Sequence, residues 1–227
     1  KTAIENGVAV GFGFPNRTGY IIGKRLFNHK DLIKIEVLFK RLSWRSALKR
    51  RVKWRFLVNF AGWISSLVIR FFLAIKGKSV SRVKYTWVST FDESINLFWE
   101  KVKDQYAIMV QRDFVYLSWR YCRKPDNTYH ILRAELDGSI VGLIIVKYED
   151  YKDARIGFIM ESLAIKDSMV VDSLLKKGLM FLSRNKVDFV LARVSSSDPV
   201  KRAFYKKGFS PKEGVWDSHI VYERYSS

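Results

Sequence analysis

Apolar residues recur with two periods along this chain, and the switches between the periods mark its elements. Residues 7–14 read as a strand running into Pro15-Asn16, a short helix follows over Tyr20–Arg25, and Leu32–Leu42 alternates with Ile33, Ile35, Val37 and Phe39 on one face. After a long interruption, Tyr85–Thr90 predicts a strand, and Thr90-x-x-Glu93 predicts a capping box opening a helix to Lys103. Asp113 predicts the cap of a second helix carrying Val115, Leu117, Trp119 and Tyr121, stopped by Pro125. Tyr129–Leu136 and Ile140–Tyr148 flank Asp137-Gly138, the pattern of a hairpin. A strand over Arg155–Ile165, a helix over Met169–Arg184, a strand over Val187–Val194, a helix over Pro199–Lys207 and a last strand over Trp216–Tyr225 complete the order. A hairpin mixed with strand–helix–strand crossovers predicts an α/β (α+β) fold with a mixed sheet and helices on both faces.

The interruption changes the picture. A basic run (Arg45, Lys49, Arg50, Arg51, Lys53, Arg55) leads into the apolar stretch 56–75, where Arg55, Asn59, Gly62, Ser66 and Arg70 recur as a narrow polar stripe at helical spacing. Three readings stand: a helix buried between domains, a helix lying on an anionic membrane, and a membrane span, the last opposed by Arg70. Three units are expected: 1–43, the end of a first domain; 44–82, a basic apolar linker; and 83–227, a complete domain. Lys1 in place of Met, with a strand beginning a few residues on, leads us to expect sequence upstream.

Of the net charge of +19, residues 1–84 supply most, with 19 Lys/Arg against 3 Asp/Glu. Residues 43–84 therefore suit an anionic membrane surface or a tRNA as partner. A single cysteine, Cys122, excludes an internal disulfide framework, and His29, His130 and His219 show no metal-ligand spacing. A cytoplasmic protein, peripheral at the inner membrane face if the basic segment docks there, fits this composition.

The words Leu163-Ala164-Ile165 and Tyr205-Lys206-Lys207-Gly208-Phe209, set in this element order, resemble the GNAT superfamily of acyl-CoA-dependent N-acyltransferases over residues 85–225. Gly13-Phe14-Pro15-Asn16 and the helix and strand after it are similar to the tail of such a domain in bacterial proteins that carry two in tandem. The resemblance implies acetyl-CoA or another acyl-CoA as co-substrate and a small-molecule amine as acceptor. It also implies an Arg/Gln-x-x-Gly-x-Gly/Ala loop for the pyrophosphate, which is missing here: Lys166–Ser173 contains no glycine. Ile165, Lys166 and Ser168 remain as residues able to meet the donor at the following helix N-terminus.

Two residues stand as catalytic candidates. Glu161, a carboxylate on an apolar central strand, suits a base for a protonated amine; the other reading is a carboxylate paired with a nearby Lys or Arg. The acid of the Tyr-x-x-x-Gly-Phe signature falls on Phe204, with Tyr205 one residue, roughly 100° of helical rotation, away. Tyr129, Tyr148 and Trp119 either line a substrate cleft or fill the core. Transfer of an acyl group to an amine is thus expected, with the upstream part supplying the cofactor loop. The alternatives are a Fem-like transferase using aminoacyl-tRNA and a degenerate binding module at a membrane surface.

Overall fold

The computed structural model describes residues 10–43, 64, 82–123, 128–212 and 218–224. The basic run, the polar stripe of 55–70 and Pro125 lie outside the described residues, and so do the inter-domain, membrane-surface and spanning readings of that segment. Among the described residues no helix is long and apolar enough to cross a membrane.

The elements are β1 (Val10–Gly13), α1 (Arg17–Leu26), β2 (Lys30–Arg41), β3 (Lys84–Val88), α2 (Ser94–Val102), a 3-10 turn (Lys103–Gln105) and α3 (Phe114–Tyr121). There follow β4 (His130–Leu136), β5 (Ser139–Tyr151), β6 (Ala154–Ala164), α4 (Ser168–Arg184), β7 (Phe189–Ser195), α5 (Lys201–Lys206), β8 (Ser210–Pro211) and β9 (Ser218–Arg224). The strands of the described residues join one mixed nine-stranded sheet in the order β1-β9-β2-β7-β6-β5-β4-β3, with β8 beside β2. The expected units 1–43 and 83–227 therefore share a sheet: β2 runs antiparallel between β7 and β9, and β1 lies on the outer side of β9.

Local chemistry accounts for the joints. Asp137 and Gly138 both take positive φ, 50° and 77°, as a two-residue hairpin turn requires, which closes β4 onto β5. Asp113 caps α3, its carboxylate accepting the Tyr116 amide at 2.8 Å. The capping box expected at Thr90 does not form. The helix begins at Ser94, with Glu93 at its N-cap making no side-chain cap bond, and the Asp92 carboxylate accepts the Ser94 amide at 3.0 Å instead. An Asp two residues ahead of the amide makes a tighter local ring than Thr90 could, so α2 starts later. The strand pair β8/β2 and the 3-10 turn are too short to show a period.

Two apolar layers sandwich the sheet. On one face α4 and α5 lay Val170, Leu174, Leu179 and Phe204 against Leu38, Ile144, Val146 and Val190. On the other, α2 and α3 pack Phe98, Trp99, Leu117 and Tyr121 onto Ile131, Leu143, Ile145 and Leu163. Strand β5, buried from Ile140 to Val146, carries side chains into both layers, the pattern of a strand covered twice.

Candidate active site

The sheet opens next to Glu161. Strands β6 and β7 pair in parallel only from Ile156–Phe189 to Ile159–Ala192, while β6 continues against β5 to Ala164 and β7 continues against β2 to Ser195. Beyond Ile159 the two strands part. The β5/β6 register also slips there, Val146 facing Ile159 and Ile145 facing Glu161, so Met160 is an extra residue. Such a bulge bends a strand and re-aims the side chain after it. Glu161 is thus the first paired residue past the point where β6 and β7 diverge.

Glu161 is only 8% exposed and is held from the α3 side. Its Oε1 accepts the Tyr121 hydroxyl at 2.8 Å and lies 2.9 Å from Arg112 Nε. The Arg112 contact is a charge pair rather than an aligned hydrogen bond, since Nε finds no bond of good geometry. Arg112 is fixed by donating from Nη1 to the Val110 carbonyl at 2.9 Å and by lying 4.7 Å from the centre of the Tyr116 ring. Burial pushes the Tyr121 phenol up, and the Glu161 charge pushes it further, so the phenol stays a donor. The pairing of Glu161 with an arginine is the arrangement that one of the two readings of this residue described.

Two more groups lie within the electrostatic field of Glu161, and the sequence offered no signal for either. Asp198, in the turn after β7, has its carboxyl pushed up to about 6, chiefly by burial and also by the charge of Glu161, although its Oδ1 accepts the Val200 amide at 3.0 Å. Tyr106, after the 3-10 turn, has a buried hydroxyl with no hydrogen-bond partner among the described residues. Burial raises its pKa, and the charges of Asp198 and Glu161 raise it further. Glu161 thus couples electrostatically with a second carboxylate and with two phenols that remain protonated.

Tyr205 is elsewhere. Its ring is 40% exposed on α5, and its hydroxyl lies 3.3 Å from Glu36 Oε2, beside the Lys201–Glu36 pair at 2.9 Å. Glu36 alternates with Val37, which faces the Glu161 side, so Tyr205 and Glu161 sit on opposite faces. Phe204 is a core residue, 1% exposed and edge-on to Phe209. Tyr148 lies on the α4 side, stacked on His130 at 5.6 Å, whereas Tyr129 meets Tyr121 edge-on at 5.0 Å and Trp119 is exposed.

The N-terminus of α4 does not fit a pyrophosphate. Only Ile165, Lys166 and Asp167 link β6 to α4, and the Ile165 amide is spent on the Val141 carbonyl at 3.0 Å. Asp167 caps the helix, its carboxylate accepting the Met169 amide at 2.7 Å, so an anion already occupies the place where phosphate oxygens would bind. Lys166 and Ser168 are exposed, with no glycine to let a ligand approach the backbone. Among the described residues no group of His, Cys, Asp and Glu could hold a metal.

Facing Glu161 is a cavity of about 1040 Å³ on the α3-side face, floored by Val37, Phe39, Phe158 and Leu191. A mixed sheet whose parallel pair splays beside a bulged strand, with helices on both faces, is the GCN5-related N-acetyltransferase fold, and solved structures agree. The chain is similar to a GCN5-related N-acetyltransferase from Anabaena variabilis ATCC 29413, with 10% identity, a TM-score of 0.58, and 96% of this chain and 46% of that one covered. It is similar to another from Sphaerobacter thermophilus, with 13% identity, a TM-score of 0.53 and coverage of 94% and 58%. A third likeness is to Saccharomyces cerevisiae N-myristoyltransferase with bound myristoyl-CoA, at 10% identity, TM-score 0.56, and coverage of 86% and 51%. The chain spans about half the length of these structures. At such identities the likeness establishes the fold. Neither a family model nor a curated protein matches the sequence.

Proposed function

We propose that this protein is part of an N-acyltransferase and that its opening between β6 and β7 receives the amine acceptor. The observation that carries this reading is a pair of carboxylates that feel each other's charge, Glu161 buried and neutralised by Arg112, and half-buried Asp198 with its carboxyl raised to about 6. An ammonium must lose a proton before its nitrogen can attack an acyl carbon, and a carboxylate lifted toward neutrality is a better proton acceptor than an exposed one. Asp198 takes that proton, Glu161 held by Arg112 and Tyr121 keeps the Asp198 carboxyl raised through its charge, and the Tyr106 hydroxyl donates a hydrogen bond to charge developing on the departing group. These assignments replace the expected pair Glu161 and Tyr205 with a set gathered in one place.

An acyl-CoA remains the donor class that the fold favours, yet no step is assigned to its phosphates, because the α4 N-terminus does not fit them. Their grip lies at residues other than Ile165, Lys166 and Ser168. A tandem arrangement, with this chain forming the acceptor side, is consistent with a chain that spans about half of its structural neighbours.

The test is amine-dependent release of free thiol from acetyl-CoA by the full-length protein, followed with a thiol reagent over a panel of primary amines. Tyr106→Phe is expected to lower kcat roughly 100-fold, and Tyr205→Phe to leave it unchanged. Release independent of amine, no release with any amine, or equal damage from the two tyrosine changes overturns the proposal.

A further inference from the structure

The cavity facing Glu161 is lined in a way that transfer to a simple amine does not require. We propose that it binds a phosphate-bearing amphiphile, with its anionic head among the cations and its apolar chain on the strand floor. The inference rests on the acyl-transfer reading only in making that molecule the amine acceptor.

Six cations line the cavity, Arg41, Arg112, Arg120, Lys147, Arg193 and Lys212, against two carboxylates, Glu149 and Glu161. Both carboxylates are already matched: Glu161 with Arg112 at 2.9 Å and Glu149 with Lys147 at 3.0 Å. Arg120, Arg193 and Lys212 make no ion pair among the described residues. A cleft of one sign with apolar walls concentrates its field, so it draws anions and repels polycationic amines.

Two of the cations also lie over rings of the floor. Lys212 sits 4.7 Å from the centre of the Phe39 ring and Lys147 5.0 Å from that of Phe158, so the floor itself positions the charges. Between them lies aliphatic and aromatic surface, including Val37, Phe189 and Leu191. Inorganic phosphate would satisfy the cations and leave this floor wet. A neutral lipid would cover the floor and strip water from unmatched charges, which is costly. A molecule with both parts suits both surfaces, and about 1040 Å³ is ample for a head group plus a chain segment.

Three probes test this by calorimetry on the full-length protein: decyl phosphate below its micelle concentration, inorganic phosphate, and decyltrimethylammonium. Decyl phosphate is expected to bind at least tenfold more tightly than either of the others. Arg193→Glu combined with Lys212→Glu should weaken it at least tenfold, and Lys212→Ser alone severalfold should the double variant fold poorly. Equal binding of the three probes, no binding of decyl phosphate, or undiminished binding by both variants overturns the proposal. Amine-dependent transfer without decyl phosphate binding removes this inference and leaves the acyltransferase standing, whereas binding without transfer does the reverse.

Discussion

Replacing Asp198 with Asn should make the protein more stable and less active at once. The carboxyl rises from 3.8 in the unfolded chain to about 6 in the fold, because burial and the Glu161 charge oppose its ionisation. The folded state therefore holds the proton more tightly. The stabilisation this gives is complete below about pH 4 and is lost as pH rises through about 6. At 1.36 kcal/mol per unit, the ionised carboxylate costs about 3 kcal/mol at pH 8 relative to a neutral side chain of the same shape. Asn is that side chain, and its amide oxygen can still accept the Val200 amide. Urea unfolding from pH 4 to pH 8 should show wild type and Asp198→Asn converging at the acid end. They should separate by about 1–3 kcal/mol at the basic end, the difference opening between about pH 4 and pH 6 with its midpoint near pH 5. kcat/KM of the wild type should rise with pH through about 6, as the base loses its proton, and that limb should vanish in the variant. A stability difference that is flat with pH, or one confined to the region above about pH 7, would refute the claim that burial and Glu161 lift this group.

Other consequences are read by similar means. Arg112→Met should destabilise by about 3–5 kcal/mol in urea, because it leaves Glu161 buried and unpaired, and adding Glu161→Gln should restore most of the loss. Gly142→Ala should cost about 1–3 kcal/mol, since the new methyl would meet Leu174 Cδ1 at 2.7 Å and the Leu163 carbonyl at 3.1 Å. Burial beneath Tyr148 and Phe181 depresses His130 below its usual 6.5. Its contribution is therefore whole above that value and is lost as pH falls through the lower folded pKa, a slope that His130→Phe should remove from thermal melts below pH 6.5.

Where a residue's surroundings are local in sequence, the pattern was enough to read. The Asp137-Gly138 turn, the Asp113 cap and the buried run of β5 each depend on neighbours within a few positions, and each stands where periodicity and turn chemistry put it. The start of α2 failed for a related reason: two side chains, Thr90 and Asp92, competed for the same amides, and a propensity rule does not rank them. The place of β2 could not be read at all. Its alternation declares a strand, but insertion between β7 and β9 depends on partners about 150 residues or more away in sequence.

The site follows the same division. Glu161 could be singled out because a carboxylate in an apolar strand breaks its own period, whereas Asp198 sits in a Ser-Ser-Asp-Pro turn where an acidic residue is ordinary. What makes Asp198 unusual is its place beyond the end of β7, half-buried and within the field of Glu161. Tyr106 likewise looks like any aromatic after a helix until the fold leaves its hydroxyl without a partner. Tyr205 shows the converse: a family word led to it, but Phe204 took the inward position on α5 and left the hydroxyl to Glu36 on the far face. A short motif fixes which residues are near each other along a helix. It does not fix which face of the sheet they serve. The chemistry of this opening is therefore carried by groups converging from α3, β6, the turn after β7 and the segment after α2, and substitutions at these four places should couple to one another while Tyr205 stays independent of all of them.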